Sequence, residues 1–157
     1  MRDATEDTLR AQIVDAFGYV AAPPADDMLQ QVYRDSEDAY EMMTAFRGKH
    51  WTELPISVLS HHREIIIALT GVGYRAYLPA YLTACLANDE TYGADVRGYT
   101  LYGLRPLSTS EVHVATGRER LSLLDAKQRA AVAAVLGYLE ETWRMKEAGD
   151  VLRAGTW

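Results

Sequence analysis

A single cysteine, Cys85, stands in the 157-residue chain, so no internal disulfide can form and a reducing compartment suits it. Long apolar runs are missing too. Nothing approaches the ~20 residues that a membrane-spanning helix needs, and the opening MRDATEDTLR lacks the apolar stretch of a secretory signal. The cytoplasm is the expected location, with no membrane partner. Metal-ligand spacings are absent as well: His50, His61, His62 and His113 form no H-E-x-x-H or H-x-x-x-H pattern, and C-x-x-C is impossible with one cysteine. His61 and His62 are adjacent, and neighbours on a helix point about 100° apart, which suits chelation of one ion poorly. No metal or cofactor is expected.

Catalytic signatures are equally scarce. None of Ser57, Ser60, Ser108, Ser110 and Ser122 sits in a G-x-S-x-G elbow, and Cys85 falls on the inner face of an apolar segment, where a thiol is usually inert. The glycines between Tyr92 and Gly103 spell neither G-x-G-x-x-G nor a P-loop. Paired carboxylates such as Asp26–Asp27 and Glu140–Glu141 fall at a helix start or on an exposed face. No residue is assigned a catalytic role.

What is present is enough for one core. With 48% hydrophobic and 24% charged residues, the chain is built for a folded domain rather than for disorder. Its length fits a single domain over residues 1–157. The net charge of −6 is uneven: Met1–Phe46 holds ten acids and three bases, giving −7, and the remainder is close to neutral. An acidic leading third repels phosphate backbones and so weighs against nucleic acid, while it attracts a basic protein.

Helical patterning dominates. Thr5 is placed to cap a first helix striped by Leu9, Ile13, Ala16, Phe17 and Val20, and Gly18 to end it. Pro24 suits the start of a short second helix, and Ser36 caps a third that Gly48 ends. HWTELP turns the corner, and Pro55 to Leu69 reads as one helix or two short ones, with His62 on its apolar stripe as a core histidine. Asp125 and Gln128 make a capping-box-like start for a last helix, with Glu140 and Arg144 paired outside and Gly149 as its stop, leaving 150–157 as a tail.

Tyrosine is the outlier, at ten residues. Three fall in YRAYLPAYLTACL (Tyr74–Leu86), apolar on most sides and therefore suited to the middle of a bundle. Pro79 lies inside it. A proline there removes one backbone hydrogen bond and costs roughly 3 kcal/mol, so this helix is expected either to kink or to restart with Leu78 as the boundary. Tyr74, Tyr77 and Tyr81 are spaced to gather at the kink, either packing the core or lining a ligand pocket together with Arg75 and His62.

Residues 90–120 change character. Gly93, Gly98, Gly103, Pro106 and Gly117 interrupt every helical pattern, and GYTLYGL and EVHVA carry the alternation of short strands, so a small hairpin and a long loop both remain open. Arg97, Tyr99, Tyr102 and Arg105 give this segment the composition of a partner-binding surface, since arginine and tyrosine dominate binding hot spots.

HWTELP, YLPAYL and the closing LSLLDAKQRAAVAAVLGYL together resemble a family of small bacterial proteins catalogued as a domain of unknown function. Its members share a W-x-E-L turn, a Y-L-P-A-Y-L segment and an L-[ST]-x-x-Q-type final helix, and the likeness spans about residues 40–140. The resemblance implies a bacterial origin and a mainly helical fold, and it carries no activity to transfer.

The expectation is a mainly α single-domain bundle of five to six helices around a kinked central helix. Its function is expected to be non-catalytic binding of another protein, of an immunity or regulatory type, by capture of a basic partner. A small-molecule binder or enzyme using the tyrosines at Pro79 is the alternative.

Overall fold

Helices start where the sequence supplies a cap. Ser36 accepts a hydrogen bond from the Ala39 amide, Thr70 from that of Gly73, and Asp125 from that of Gln128, whose side chain reaches back to complete a capping box. The computed structural model describes residues 2–105, 119–155 and 157. Its helices are α1 (Arg2–Phe17), α2 (Ala25–Met28), α3 (Glu37–Phe46), α4 (Ile56–His61), α5 (Ile65–Ala68), α6 (Gly71–Leu86), α7 (Gly93–Leu104), α8 (Ala126–Trp143) and α9 (Lys146–Ala154). Short 3₁₀ turns occupy Gln31–Tyr33 and Trp51–Glu53, and a further helical turn lies at 119–122.

The mainly helical architecture agrees with the sequence, but the details differ. Nine named helices among the described residues replace the expected five to six, because the 55–69 stretch divides at His62 and the chain restarts after Arg144. Of the hairpin and the long loop left open for 90–120, neither holds where the segment is described: GYTLYGL belongs to α7, and no strand occurs among the described residues. EVHVA lies outside them. α1 begins ahead of Thr5. α8 ends at Arg144, which takes the left-handed conformation (φ 56°), and Gly149 sits inside α9. Glu140 pairs with Arg153 of α9 at 3.1 Å rather than with Arg144. Most of the expected tail is therefore helix, and Trp157 folds back to donate to the Val151 carbonyl.

α6 is the axis of the domain. It runs without interruption through Pro79, and thirteen of its sixteen residues are buried, which is why no polar stripe could be read in it. α7 and α1 pack on it, and α8 packs on α1 and α9. Phe46, Leu82 and Leu136 are fully buried, each contributing about 1.5–3 kcal/mol by leaving water.

One bridge ties the first third of the chain to the start of α6. Leu29 and Leu69 form an isolated antiparallel pair, with the Thr70 amide donating to Met28 and the Gln30 amide to Ala68, each at 2.9 Å. The approach is so close that a Cβ at position 73 would collide with the Met28 carbonyl, so only glycine fits there. The carbonyls of Ile67 and Leu69 each accept twice, from Gln30 Nε2 and from Arg120 Nη2. Arg120 is a buried cation, 2% exposed, whose guanidinium lies 5.3 Å from the Tyr74 ring centroid. Burial lowers its pKa, an effect Tyr74 partly offsets.

Candidate functional site

Tyr74, Tyr77 and Tyr81 are fully buried, and each hydroxyl donates to a backbone carbonyl of a different segment. Tyr74 reaches Gly103 in α7 at 3.1 Å, Tyr77 reaches Phe46 at the end of α3 at 3.0 Å, and Tyr81 reaches His62 after α4 at 3.2 Å. Burial pushes the Tyr77 phenol up to about 12 and raises those of Tyr74 and Tyr81 as well, so all three stay protonated donors at neutral pH. These phenols anchor three outer segments to the central helix. A ligand pocket needs hydroxyls free to face it, and these three are already engaged.

Arg75, grouped with them in sequence, points elsewhere. Its Nε donates to Gln128 Oε1 at 3.2 Å and its Nη2 to the Tyr19 hydroxyl at 3.0 Å. Tyr19 in turn donates to Asp125. The Gln128 amide and then Tyr19 hold the Asp125 carboxyl below its usual range. This network joins α1, α6 and α8.

The segments held by the tyrosines form the walls of two adjoining cavities. The first, about 310 Å³, lies between α3 and the turn that follows α4 and is lined by Asp38, Glu41, Met42, His61, His62, Arg63 and Glu64. The imidazoles of His61 and His62 meet edge to face at 4.6 Å, and His62 also touches the Phe46 ring at 6.3 Å. His62 is half-buried rather than a core histidine. Burial, and then the proximity of His61, lowers its pKa, against an opposing pull from Glu41.

The second cavity, about 400 Å³, runs along the outer side of α7 between Ala94, Asp95, Gly98, Tyr99 and Tyr102. Arg63 connects the two: it lines the first and lies 5.2 Å from the centroid of Tyr99, which lines the second. A hydrogen bond with Tyr99 raises the Arg63 pKa, with Asp95 and Glu64 adding to it, so it remains a cation. Four carboxylates line the two cavities beside this one arginine: Asp38, Glu41 and Glu64 in the first and Asp95 in the second. The surface is acidic on balance and carries two phenol rings.

His62 thus lines one cavity and Tyr99 and Tyr102 the other, with Arg63 between them, although the sequence assigned these residues to separate sites. Tyr102 is 46% exposed, and Arg105 is exposed at the end of α7. Arg97 is a correction to the expected binding surface. It is 7% exposed, its guanidinium lies 3.9 Å from the Trp143 ring centroid, and its Nη1 donates to the Ala87 carbonyl. It is a structural cation that pins α7 to the end of α8. Arg63 and the acids of α3 were missed, since only folding places them on one cavity and Arg63 against Tyr99 of α7. Among the described residues no cluster of His, Cys, Asp and Glu could hold a metal ion, and no helix is long and apolar enough to cross a membrane.

Comparison with known proteins gives the same breadth of answer. Residues 5–154 match a family of unknown function, DUF6714, and the chain belongs to that family. No curated protein and no solved structure matches it.

Proposed function

We propose that this chain is a non-catalytic protein-binding domain, of an immunity or regulatory type, that captures a basic segment of a partner protein on the surface shared by α3, the 61–64 turn and α7. One observation carries the reading: an acidic cavity and a tyrosine-lined cavity adjoin through the Arg63–Tyr99 stack. Exposed carboxylates attract a basic segment and speed its encounter. Phenol rings at the neighbouring cavity supply flat faces for a lysine stem or a guanidinium, and tyrosine is a common hot-spot residue.

The bend expected in α6 at Pro79 belongs to the same proposal. Tyr77 and Tyr81 flank the proline and hold the two walls of the acidic cavity, at Phe46 and His62. A bend between them would set the spacing of those walls.

The test is titration of the chain with a short lysine- and arginine-rich peptide, alongside a scrambled-charge acidic control, at low salt and at about 0.5 M salt, where the Debye length falls to a few ångströms. The basic peptide should bind at low salt and weaken at high salt, and the combined variant Asp38→Asn, Glu41→Gln, Glu64→Gln should lose it. Equal binding by wild type and this variant rejects the proposal.

A further inference from the structure

A third cavity, about 410 Å³, opens between α1, the Trp51–Glu53 turn, α4 and α6. Its walls are apolar, with Trp51, Leu54, Ile56 and Leu59 on one side and the small residues Ala80 and Ala84 of α6 on the other. Alanines leave space there that larger residues would fill. The volume falls in the range of small-ligand pockets, which are mostly apolar and carry a few placed polar groups.

Two polar groups stand out. Arg10 lines the cavity and has no ion pair among the described residues. Thr83 lines it too, and its hydroxyl is sheathed from solvent with no hydrogen-bond partner. That hydroxyl lies beneath the wall, so Arg10 is the charged group that a ligand in the cavity can reach.

We propose that this cavity binds a small carboxylate with an apolar tail, of the medium-chain fatty acid class, its tail against Trp51 and Leu59 and its head on Arg10. A guanidinium fork matches a carboxylate in two parallel hydrogen bonds. One cation balances one negative charge, which favours a carboxylate over a doubly charged phosphate ester. Alkyl chain suits the walls because they offer no further pairing groups beyond Thr52 and Thr83.

The experiment is an amide NMR titration of the full chain with octanoate, octanol and octylammonium. Octanoate should give saturable shifts at residues of the 51–59 and 80–87 stretches, with octanol weaker and octylammonium weakest. Arg10→Gln should weaken octanoate about tenfold or more, as expected for a lost charged hydrogen bond, and leave octanol unchanged. Ala84→Leu, which fills the cavity, should abolish both, with a thermal melt checking that each variant folds. Absence of saturable shifts with octanoate, equal affinity for octanol, or an Arg10→Gln variant that binds octanoate as well as wild type each overturns the proposal. Shifts at this cavity that follow protein concentration alone would show a second copy as its occupant and overturn it as well. The basic-segment surface uses other residues, so failure here leaves that reading standing.

Discussion

The guanidinium of Arg97 lies over the indole of Trp143, 3.9 Å from its ring centroid, while its Nη1 donates to the Ala87 carbonyl. One side chain thus ties α7 to the end of α8 and to the residue that closes α6. A desolvated cation on an indole face is worth about 2 kcal/mol, and a charged hydrogen bond about 1.5–3 kcal/mol. Arg97→Ala is expected to destabilise the domain by about 2–4 kcal/mol in urea unfolding, with Arg97→Lys recovering only part because ammonium does not stack. Unchanged stability in Arg97→Ala would refute the structural role.

Replacing the anchoring tyrosines one at a time tests the scaffold. Tyr77→Phe and Tyr81→Phe keep the ring and remove one of two donors from the carbonyls of Phe46 and His62, which retain the amides of Lys49 and Ile65. Each should cost about 0.5–1.5 kcal/mol, the net worth of one hydrogen bond, since the carbonyl keeps its second donor. Both should also increase hydrogen exchange at the end of α3 and in the 61–64 turn while sparing α8. Loss confined to α6 itself would argue against anchoring.

Acid should weaken the fold through His62. Its folded pKa is below the ordinary 6.5, so between that lowered value and 6.5 the unfolded chain binds more protons than the folded one, and stability rises with pH. The contribution is complete above 6.5, is lost as pH falls toward the folded pKa, and levels off beneath it. A His62→Gln variant should show a flatter stability profile across this window in urea unfolding monitored by fluorescence. Identical slopes in the two proteins would remove His62 from the account.

Cys85 reports opening of the core. The thiol is fully buried, and burial pushes its pKa up to about 12, with a Thr100 hydrogen bond and Arg97 pulling the other way. Thiolate is the reactive form, so an aromatic disulfide reagent should modify the folded chain only at the rate at which α6 opens. Labelling should accelerate in step with urea unfolding. Rapid labelling in buffer would place the thiol at the surface.

Much of this architecture was legible from residue order. Ser36 and the Asp125–Gln128 pair are local signals, since a cap acts within one turn, and both stand where expected. The apolar character of Tyr74–Leu86 was enough to identify the central helix. α7 was misread because Tyr99, Thr100 and Tyr102 favour strands when local preference alone is weighed, and tertiary burial overrides such preferences. A helical signal was there: Val96, Thr100, Gly103 and Leu104 recur at helical spacing, and all four are buried. The site was harder. Arg63 and Tyr99 meet across distant parts of the chain, and nothing in a linear pattern reports which arginine stacks on which ring. Arg97, beside the buried Val96, was indistinguishable in sequence from a surface cation.

The Leu29–Leu69 bridge acts as a clasp on a purse. Everything between its two halves, including α3 and the histidine turn, forms one pouch of chain closed at the foot of α6 and moored further along it by Tyr77 and Tyr81, whereas α7 follows α6 in the chain and lies outside the pouch. With the clasp slackened, those two phenols would still hold the acidic wall against α6, so the proposed docking face leans on the central helix along its length rather than on the bridge alone.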